Sequence, residues 1–205
     1  TDRVWLRDSA PTFVVRDGGP AGVEGEPGGS VAMVNWKFNA WAKYDNYHED
    51  KRLGRRIARK TGLHRWAPRV EVDGVSRRFV LEGGSIDVNG RGTLLTTEEC
   101  LLSDVQERNP GLTREGYERV FAEYLGVSNV IWLNRGIHGD DTHGHVDDLA
   151  RFVDAKTVVT VVEPDESDPN HEPLRENLAR LKAARDQDGK PLRAVELPMP
   201  SPVTF

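Results

Sequence analysis

"FVLEGGSIDVNGRGTLLTT", residues 79 to 97, decides the fold. Two runs of strand-forming residues flank Asn89-Gly90, a pair suited to the positive φ angles of a tight reversal, so the stretch reads as a β-hairpin. A helix is predicted next. Tyr117, Val120, Phe121, Tyr124 and Leu125 recur at helical spacing, Thr113 stands where an N-cap belongs, and Gly126 stands where the helix should stop. "NVIWLN" (129–134) then reads as a strand, which gives the order strand, strand, helix, strand.

That order recurs on both sides. Downstream, "HVDDLARFVDAKTVVTVVEP" (145–164) predicts two strands, Leu174, Leu178 and Leu181 mark one helix face, and "RAVELP" (193–198) is a strand. Upstream, "VWLRDSAPTFVVRD" (4–17) and "VAMVNWKFNA" (31–40) precede a helix around Leu53 and Ile57 that ends at Gly62, with an extended stretch from His64. The connections are polar: a Gly/Pro-rich surface loop over 17–30 and an acidic one over 163–173. Neither looks like a linker, so residues 1–205 are expected to form one α/β domain of repeated ββαβ units. A single unit cannot bury its apolar face alone, so such repeats stack or assemble radially. Around an axis, the front of each unit meets the others at the centre, which would join Asp8, Glu82, His145 and Asp147.

Composition narrows the chemistry. The 205 residues carry a formal net charge of −5, 30% are charged, and mean hydropathy is −0.58, with no apolar run long enough to span a bilayer. No Lys/Arg cluster is interleaved with aromatics, which argues against a nucleic-acid surface. A small cationic ligand is compatible with the charge. The one cysteine, Cys100, excludes an internal disulfide framework and suggests a reducing, cytoplasmic setting.

The densest chemical signal is "GDDTHGHVDD" (139–148). Three readings are open: a metal site, an acid/base site for a cation, and a solvated turn whose aspartates cap local backbone. Read as a strand, residues 145–147 place His145 and Asp147 on one face and Val146 in the core. An imidazole beside a carboxylate is a general acid/base. The metal reading lacks a helical His-x-x-x-His pair and a Cys partner. In "LEGGS" (81–85), two glycines after Glu82 either let backbone approach a ligand or form a bulge. "WLRD" (5–8) adds an aromatic and a carboxylate, or is an ordinary strand end.

"WLRD" followed by "AP", "FNAW" (38–41), "LEGGSIDVNGRGTLLTTEECLL" (81–102), "GDDTHGHVDD" and "LPMPSPV" (197–203) occur in this order. Together they resemble the agmatine deiminase family, within the guanidine-modifying superfamily that also holds the peptidylarginine deiminases. The resemblance covers essentially the whole chain. It implies a pentein fold, an α/β-propeller of five ββαβ blades, of which about three are present here. It also implies hydrolysis of agmatine to N-carbamoylputrescine and ammonia, on the route to putrescine and the polyamines, through a Cys-linked amidino intermediate. Asp8 and Asp147 would hold the guanidinium by planar carboxylate pairing. His145 would protonate the departing ammonia and then activate water, Glu82 would contact the guanidinium and orient the imidazole, Trp5 would pack on the alkyl stem, and Asp141 would meet the distal amine. The scheme needs no metal and no cofactor, and the full-length protein is expected to be a homo-oligomer. A peptidylarginine deiminase-type enzyme, or a non-catalytic binder of small cations, are the alternatives.

The departures touch the mouth of the site. The family pattern has Glu where Asp141 stands, Asp where His143 stands, and Trp-Gly-Gly where this chain has Trp41-Ala42-Lys43. The family's nucleophilic Cys lies in a Gly-rich segment beyond the proline-rich strand, so it is expected outside residues 1–205. Residues 1–205 alone are therefore expected to be inactive, with apolar faces open where further blades would pack. Cys100, preceded by Glu98 and Glu99, is expected to be a half-buried packing residue whose thiolate the negative surroundings disfavour.

Overall fold

The computed structural model describes residues 2–16 and 30–200. Three units of the expected order are present. The first opens with a short helix, α1 (Leu6–Ser9), followed by strands β1 (Thr12–Arg16) and β2 (Ser30–Val34), helix α2 (Leu53–Thr61) and strand β3 (His64–Trp66). A hairpin of β4 (Arg69–Val72) and β5 (Val75–Arg78) leads to the second unit. That unit contains β6 (Asp87–Val88), β7 (Thr93–Thr97), helices α3 (Glu98–Leu102) and α4 (Arg114–Leu125), and β8 (Asn129–Leu133). The third contains β9 (Ala150–Phe152), β10 (Thr157–Val162), helix α5 (His171–Ala183) and β11 (Arg193–Pro198). In each unit the middle strand pairs antiparallel with the strand before it and parallel with the strand after the helix. The result is three separate three-stranded sheets.

The helices end where their caps say. Thr113 Oγ1 accepts the Gly116 N–H at 3.3 Å to start α4, and Gly126 (φ 67°) and Gly62 (φ 71°) close α4 and α2 in the left-handed conformation that glycine adopts without a Cβ clash. Helix α5 takes in the end of the acidic stretch. It starts at His171, with Pro173 in the first turn, where its missing N–H costs no hydrogen bond.

Strand β7 explains how two units join. All of its residues are buried, and alternation sends Leu94 to one face and Leu95 to the other. Leu94 packs with Phe79, Leu81, Leu101, Tyr117 and Phe121. Leu95 packs with Leu133, Val146, Leu149, Leu174 and Leu181, the core of the third unit. Each buried leucine contributes about 1.5–3 kcal/mol. The two layers thus hold the fronts of the second and third units at a fixed distance.

Three local readings are corrected. The first strand of the 79–97 hairpin is only Asp87–Val88, because a 3-10 turn at Gly83–Ser85 breaks the run and Val80 makes an isolated bridge to Lys37. Residues 145–147 are not a strand. A 3-10 turn occupies Val146–Asp148, since the N–H groups of Gly144 and His145 are taken by Asp140 Oδ2 rather than by a neighbouring strand. "WLRD" likewise forms α1 and not a strand end. The loop expected over 17–30 lies outside the described residues up to Gly29, as does the end of "LPMPSPV" from Ser201.

Candidate functional site

The Gly83–Ser85 turn packs against both helix α1 and the Val146–Asp148 turn, and four of the predicted residues come together around it. His145 Nδ1 is 3.7 Å from Asp147 Oδ1 and 3.9 Å from Asp8 Oδ1, and its Nε2 is 3.7 Å from Glu82 Oε2. These distances are ion-pair contacts, longer than hydrogen bonds. The imidazole is buried, and its Nε2 has no hydrogen-bond partner. His145 and Asp147 meet through the 3-10 turn, while Val146 enters the core as expected.

Backbone pressed against the cluster makes this convergence possible. A Cβ on Gly84 would fall 2.5 Å from His145 Nδ1, 2.8 Å from Asp8 Oδ1 and 2.9 Å from Asp147 Oδ1. A Cβ on Gly83 would fall 2.1 Å from the Arg7 carbonyl oxygen. The glycine pair therefore provides close approach rather than a bulge, and the Gly84 N–H donates to Asp8 Oδ1 at 3.0 Å.

The electrostatics follow from burial and neighbours. Asp8 and Asp147 are raised above ordinary carboxylate values, chiefly by desolvation, with Glu82 adding to Asp8 and Asp8 adding to Asp147, against the pull of His145. Glu82 has no exposed surface, yet the Arg108 guanidinium and the imidazole outweigh its desolvation and hold it low. Burial disfavours the imidazolium of His145, but the surrounding Glu82, Asp8 and Asp147 carboxylates outweigh it, and the net shift is upward. With the imidazole neutral, three carboxylates face one buried arginine. The cluster is therefore electronegative and suits a planar cation.

Four positioning residues were given no role from the sequence, although Trp41 and Asp140 stand inside quoted motifs. Arg108 lies with Nε 3.3 Å from both Glu82 oxygens, while its Nη1 donates to the Gln106 carbonyl at 2.9 Å and its Nη2 to the Thr142 carbonyl at 2.5 Å. Asp140 accepts from Gly144 N at 2.7 Å and from Thr142 N at 2.8 Å, which sets the turn that presents His145. Asp-x-Thr is an Asx-turn signal that points to this role. Thr97 at the end of β7 donates to the Gly144 carbonyl at 2.5 Å. Trp41 is buried, with Nε1 donating to Asp8 Oδ2 at 3.1 Å, in a segment where Ala40, Trp41 and Ala42 all have φ between 52° and 60°.

The two outer assignments fare differently. The Trp5 side chain is 61% exposed and outside the cluster, and the indole that touches the site is Trp41. Asp141 lies at the rim, where it pairs with Lys43 Nζ and accepts from Tyr44 Oη at 2.8 Å. Gln106 Nε2 donates to the Trp41 carbonyl at 2.9 Å and approaches that of Asp141 at 3.4 Å, tying this rim to the wall of the site.

Cys100 is closer to the site than expected. It is 1% exposed, and its Sγ lies within 4.8 Å of ligand atoms on Glu82 and His145. Burial pushes its thiol up; Glu82, Asp140 and Asp8 add to the effect, in place of the Glu98 and Glu99 expected to do so. Among the described residues this trio is the one grouping of potential metal ligands. Its fit to a cation is poor, because the carboxylate is already engaged by Arg108 and the thiol is held protonated.

A family model for Porphyromonas-type peptidyl-arginine deiminase matches residues 1–204. The chain is similar to the agmatine deiminase of Stutzerimonas stutzeri, at 41% identity over 99% of this chain and 51% of that protein. Its structure is similar to that of Enterococcus faecalis agmatine deiminase, with TM-score 0.81 and 34% identity over 97% of this chain and 50% of the other. It is also similar to a substrate-bound agmatine deiminase of C. jejuni, with TM-score 0.79 and 30% identity over all of this chain and 54% of the other. The chain spans about half the length of the curated relatives it matches.

Proposed function

The chain belongs to the Porphyromonas-type peptidyl-arginine deiminase family, and from that premise we propose that the full-length protein hydrolyses a terminal guanidine, with agmatine as substrate. The observation that carries this reading is the convergence of Asp8, Glu82 and Asp147 on the buried His145 imidazole. Asp8 and Asp147 pair with the guanidinium N–H groups, and the bound cation draws their raised pKa values down. The nucleophilic thiol gives its proton to the His145 imidazole, and the resulting thiolate adds to the guanidinium carbon. His145 passes its proton to one amino group, which departs as ammonia and leaves an amidino thioether on sulfur. His145 then takes a proton from water, which adds to the same carbon. The C–S bond breaks, and the thiolate returns with the ureido product, N-carbamoylputrescine, a precursor of putrescine. Buried and protonated, Cys100 is a poor source of that thiolate, so another residue of the full-length protein supplies it.

The same premise makes the three ββαβ units blades of an α/β-propeller. Phe13, Val15, Val31 and Trp66, exposed on the first sheet, are suited to cover by a further blade. The single cysteine is in keeping with a cytoplasmic enzyme, and a homo-oligomer is the expected assembly. Among the described residues, no helix is long and apolar enough to cross a membrane.

Ammonia release by the full-length protein from agmatine, free arginine and a peptidylarginine substrate tests the reading. Agmatine should be turned over fastest, and Asp147→Asn should abolish turnover. A preference for the peptide would transfer the reading to peptidylarginine deimination. Tight agmatine binding with no ammonia from any of the three would make the protein a binder and overturn the proposal.

A further inference from the structure

Away from the guanidine site, Asn35 lies at the centre of a second and unrelated cluster. Its N–H donates to the Trp66 carbonyl at 2.9 Å, which places β3 and Arg65 beside it. Gly54 of α2 packs so tightly on its side chain that a Cβ there would fall 1.4 Å from Oδ1, which brings the start of α2, with Arg55, to the same place. Arg78 of β5 donates from Nη2 to the Asn35 carbonyl at 2.7 Å, and Arg69 is the direct cross-strand partner of Arg78 in the β4–β5 hairpin. Four arginines from four elements therefore lie near one residue, with Arg69 turned along its hairpin, where Nε donates to Ser76 Oγ at 2.9 Å and Nη2 to the Ser76 carbonyl at 3.0 Å.

Their charges are not balanced. Among the described residues, no carboxylate forms an ion pair with Arg55, Arg65, Arg69 or Arg78. Arg65 and Arg78 are half-buried, and Arg65 Nη1 and Arg78 Nε are buried donors with no acceptor. Directly opposed like charges on a hairpin are destabilising, and a buried donor left unmade costs more than an exposed one. Desolvation followed by repulsion from Arg65, Arg55 and Arg69 makes Arg78 easier to deprotonate than a free guanidinium.

We propose that Arg65 and Arg78, with Arg55 beside them at the start of α2, form a binding site for a phosphate-class oxyanion next to Asn35. A tetrahedral dianion offers several oxygens to guanidinium groups arriving from different directions, which one planar carboxylate does not. Free phosphate and a phosphomonoester share that chemistry.

Thermal melts and titration calorimetry of the full-length protein test the site, with inorganic phosphate, glycerol phosphate and chloride compared at equal ionic strength. Phosphate and glycerol phosphate should raise the melting temperature where chloride does not. A larger shift with the ester would identify a phosphomonoester as the ligand, and an equal shift free phosphate. Arg65→Gln and Arg78→Gln should each weaken phosphate binding roughly tenfold, and in phosphate-free buffer Arg65→Gln, which breaks no hydrogen bond, should melt no lower than the parent. Arg55→Gln, on an exposed side chain, provides a variant with little folding risk and should also lose affinity. The proposal is overturned if neither phosphate species exceeds chloride, or if the shift persists undiminished in all three variants.

Discussion

The Nε of Arg108 lies 3.3 Å from both carboxylate oxygens of Glu82, and neither side chain has exposed surface. The guanidinium keeps a fully buried carboxylate ionised next to His145, and its other nitrogens tie that carboxylate to the Thr142 carbonyl in the loop that carries the histidine. Arg108→Met would leave Glu82 buried without its partner, at a cost of about 3–5 kcal/mol. For a chain of this size that is a fall of about 6–20 °C in melting temperature. The double variant with Glu82→Gln should recover part of the loss, because the orphaned charge is gone. Thermal melts of the two single variants and the double variant check this, and strictly additive losses would contradict the coupling.

The pH dependence of the empty site has a definite sign. The folded pKa of His145 is raised, so the stability it contributes is fully present below the unfolded value, near pH 6.5, and is lost as pH rises through the folded value. Asp8 and Asp147 are raised as well and act in the same direction at lower pH. Glu82 is lowered, so its share is present above its unfolded value and is lost only in more acidic solution. Agmatine remains cationic across neutrality and replaces the bound proton among the carboxylates. The melting-temperature gain from agmatine should therefore be larger at pH 8 than at pH 6, and His145→Gln should flatten that difference. Melts at the two pH values, with and without agmatine, measure it; an equal gain at both would refute the linkage.

Much of the scaffold was legible because its signals are local. Helix α4 shows itself through Thr113, Gly126 and the spacing of Tyr117, Val120 and Phe121, and β7 through an uninterrupted run between turn residues. The turns that present Glu82 and His145 read as strands, since what bends them is Asp140 taking backbone donors and Gly84 pressed against side chains from two other units. Arg108 is one arginine among many in the sequence, and nothing in hydrophobic periodicity marks it for burial. Trp41 stands in the "FNAW" motif, but its contact with Asp8 was hidden, because three consecutive non-glycine residues at positive φ are not what Ala-Trp-Ala suggests. Trp5 was the aromatic nearest Asp8 in sequence, but helix α1 leaves its side chain exposed.

Gly84→Ala separates packing from chemistry. The added methyl would sit 2.5 Å from His145 Nδ1, within the space bounded by Asp8 and Asp147. Overpacking of this kind costs about 1–3 kcal/mol, so the protein should still fold. The methyl blocks the space between the two carboxylates, and agmatine affinity should fall at least roughly tenfold, the equivalent of 1.4 kcal/mol. Calorimetry alongside a thermal melt reads both effects. A folded variant with unchanged affinity would remove Asp8 and Asp147 from the guanidinium site.

Lys43→Met examines the rim. Asp141 is the carboxylate the resemblance assigns to the substrate's distal amine, and here its charge is already met by Lys43 Nζ and the Tyr44 hydroxyl. The carboxylate is lowered, first by its hydrogen bond to Lys43, and the lysine is raised by the same contact. A distal ammonium arriving at Asp141 must displace Lys43 or share the carboxylate with it. The gain over a neutral substrate end should then be small, since an exposed ion pair contributes about 0.2–1 kcal/mol even when unopposed. With methionine at position 43, Asp141 is free to receive the ammonium. The kcat/KM ratio of agmatine to pentylguanidine, which lacks the second cation, should rise by roughly two- to fivefold, mainly through a lower KM for agmatine. Asp141→Asn in the Lys43→Met background should cancel the rise. Steady-state kinetics on the two substrates decide the matter: a ratio unmoved by Lys43→Met would mean that the distal ammonium binds away from Asp141.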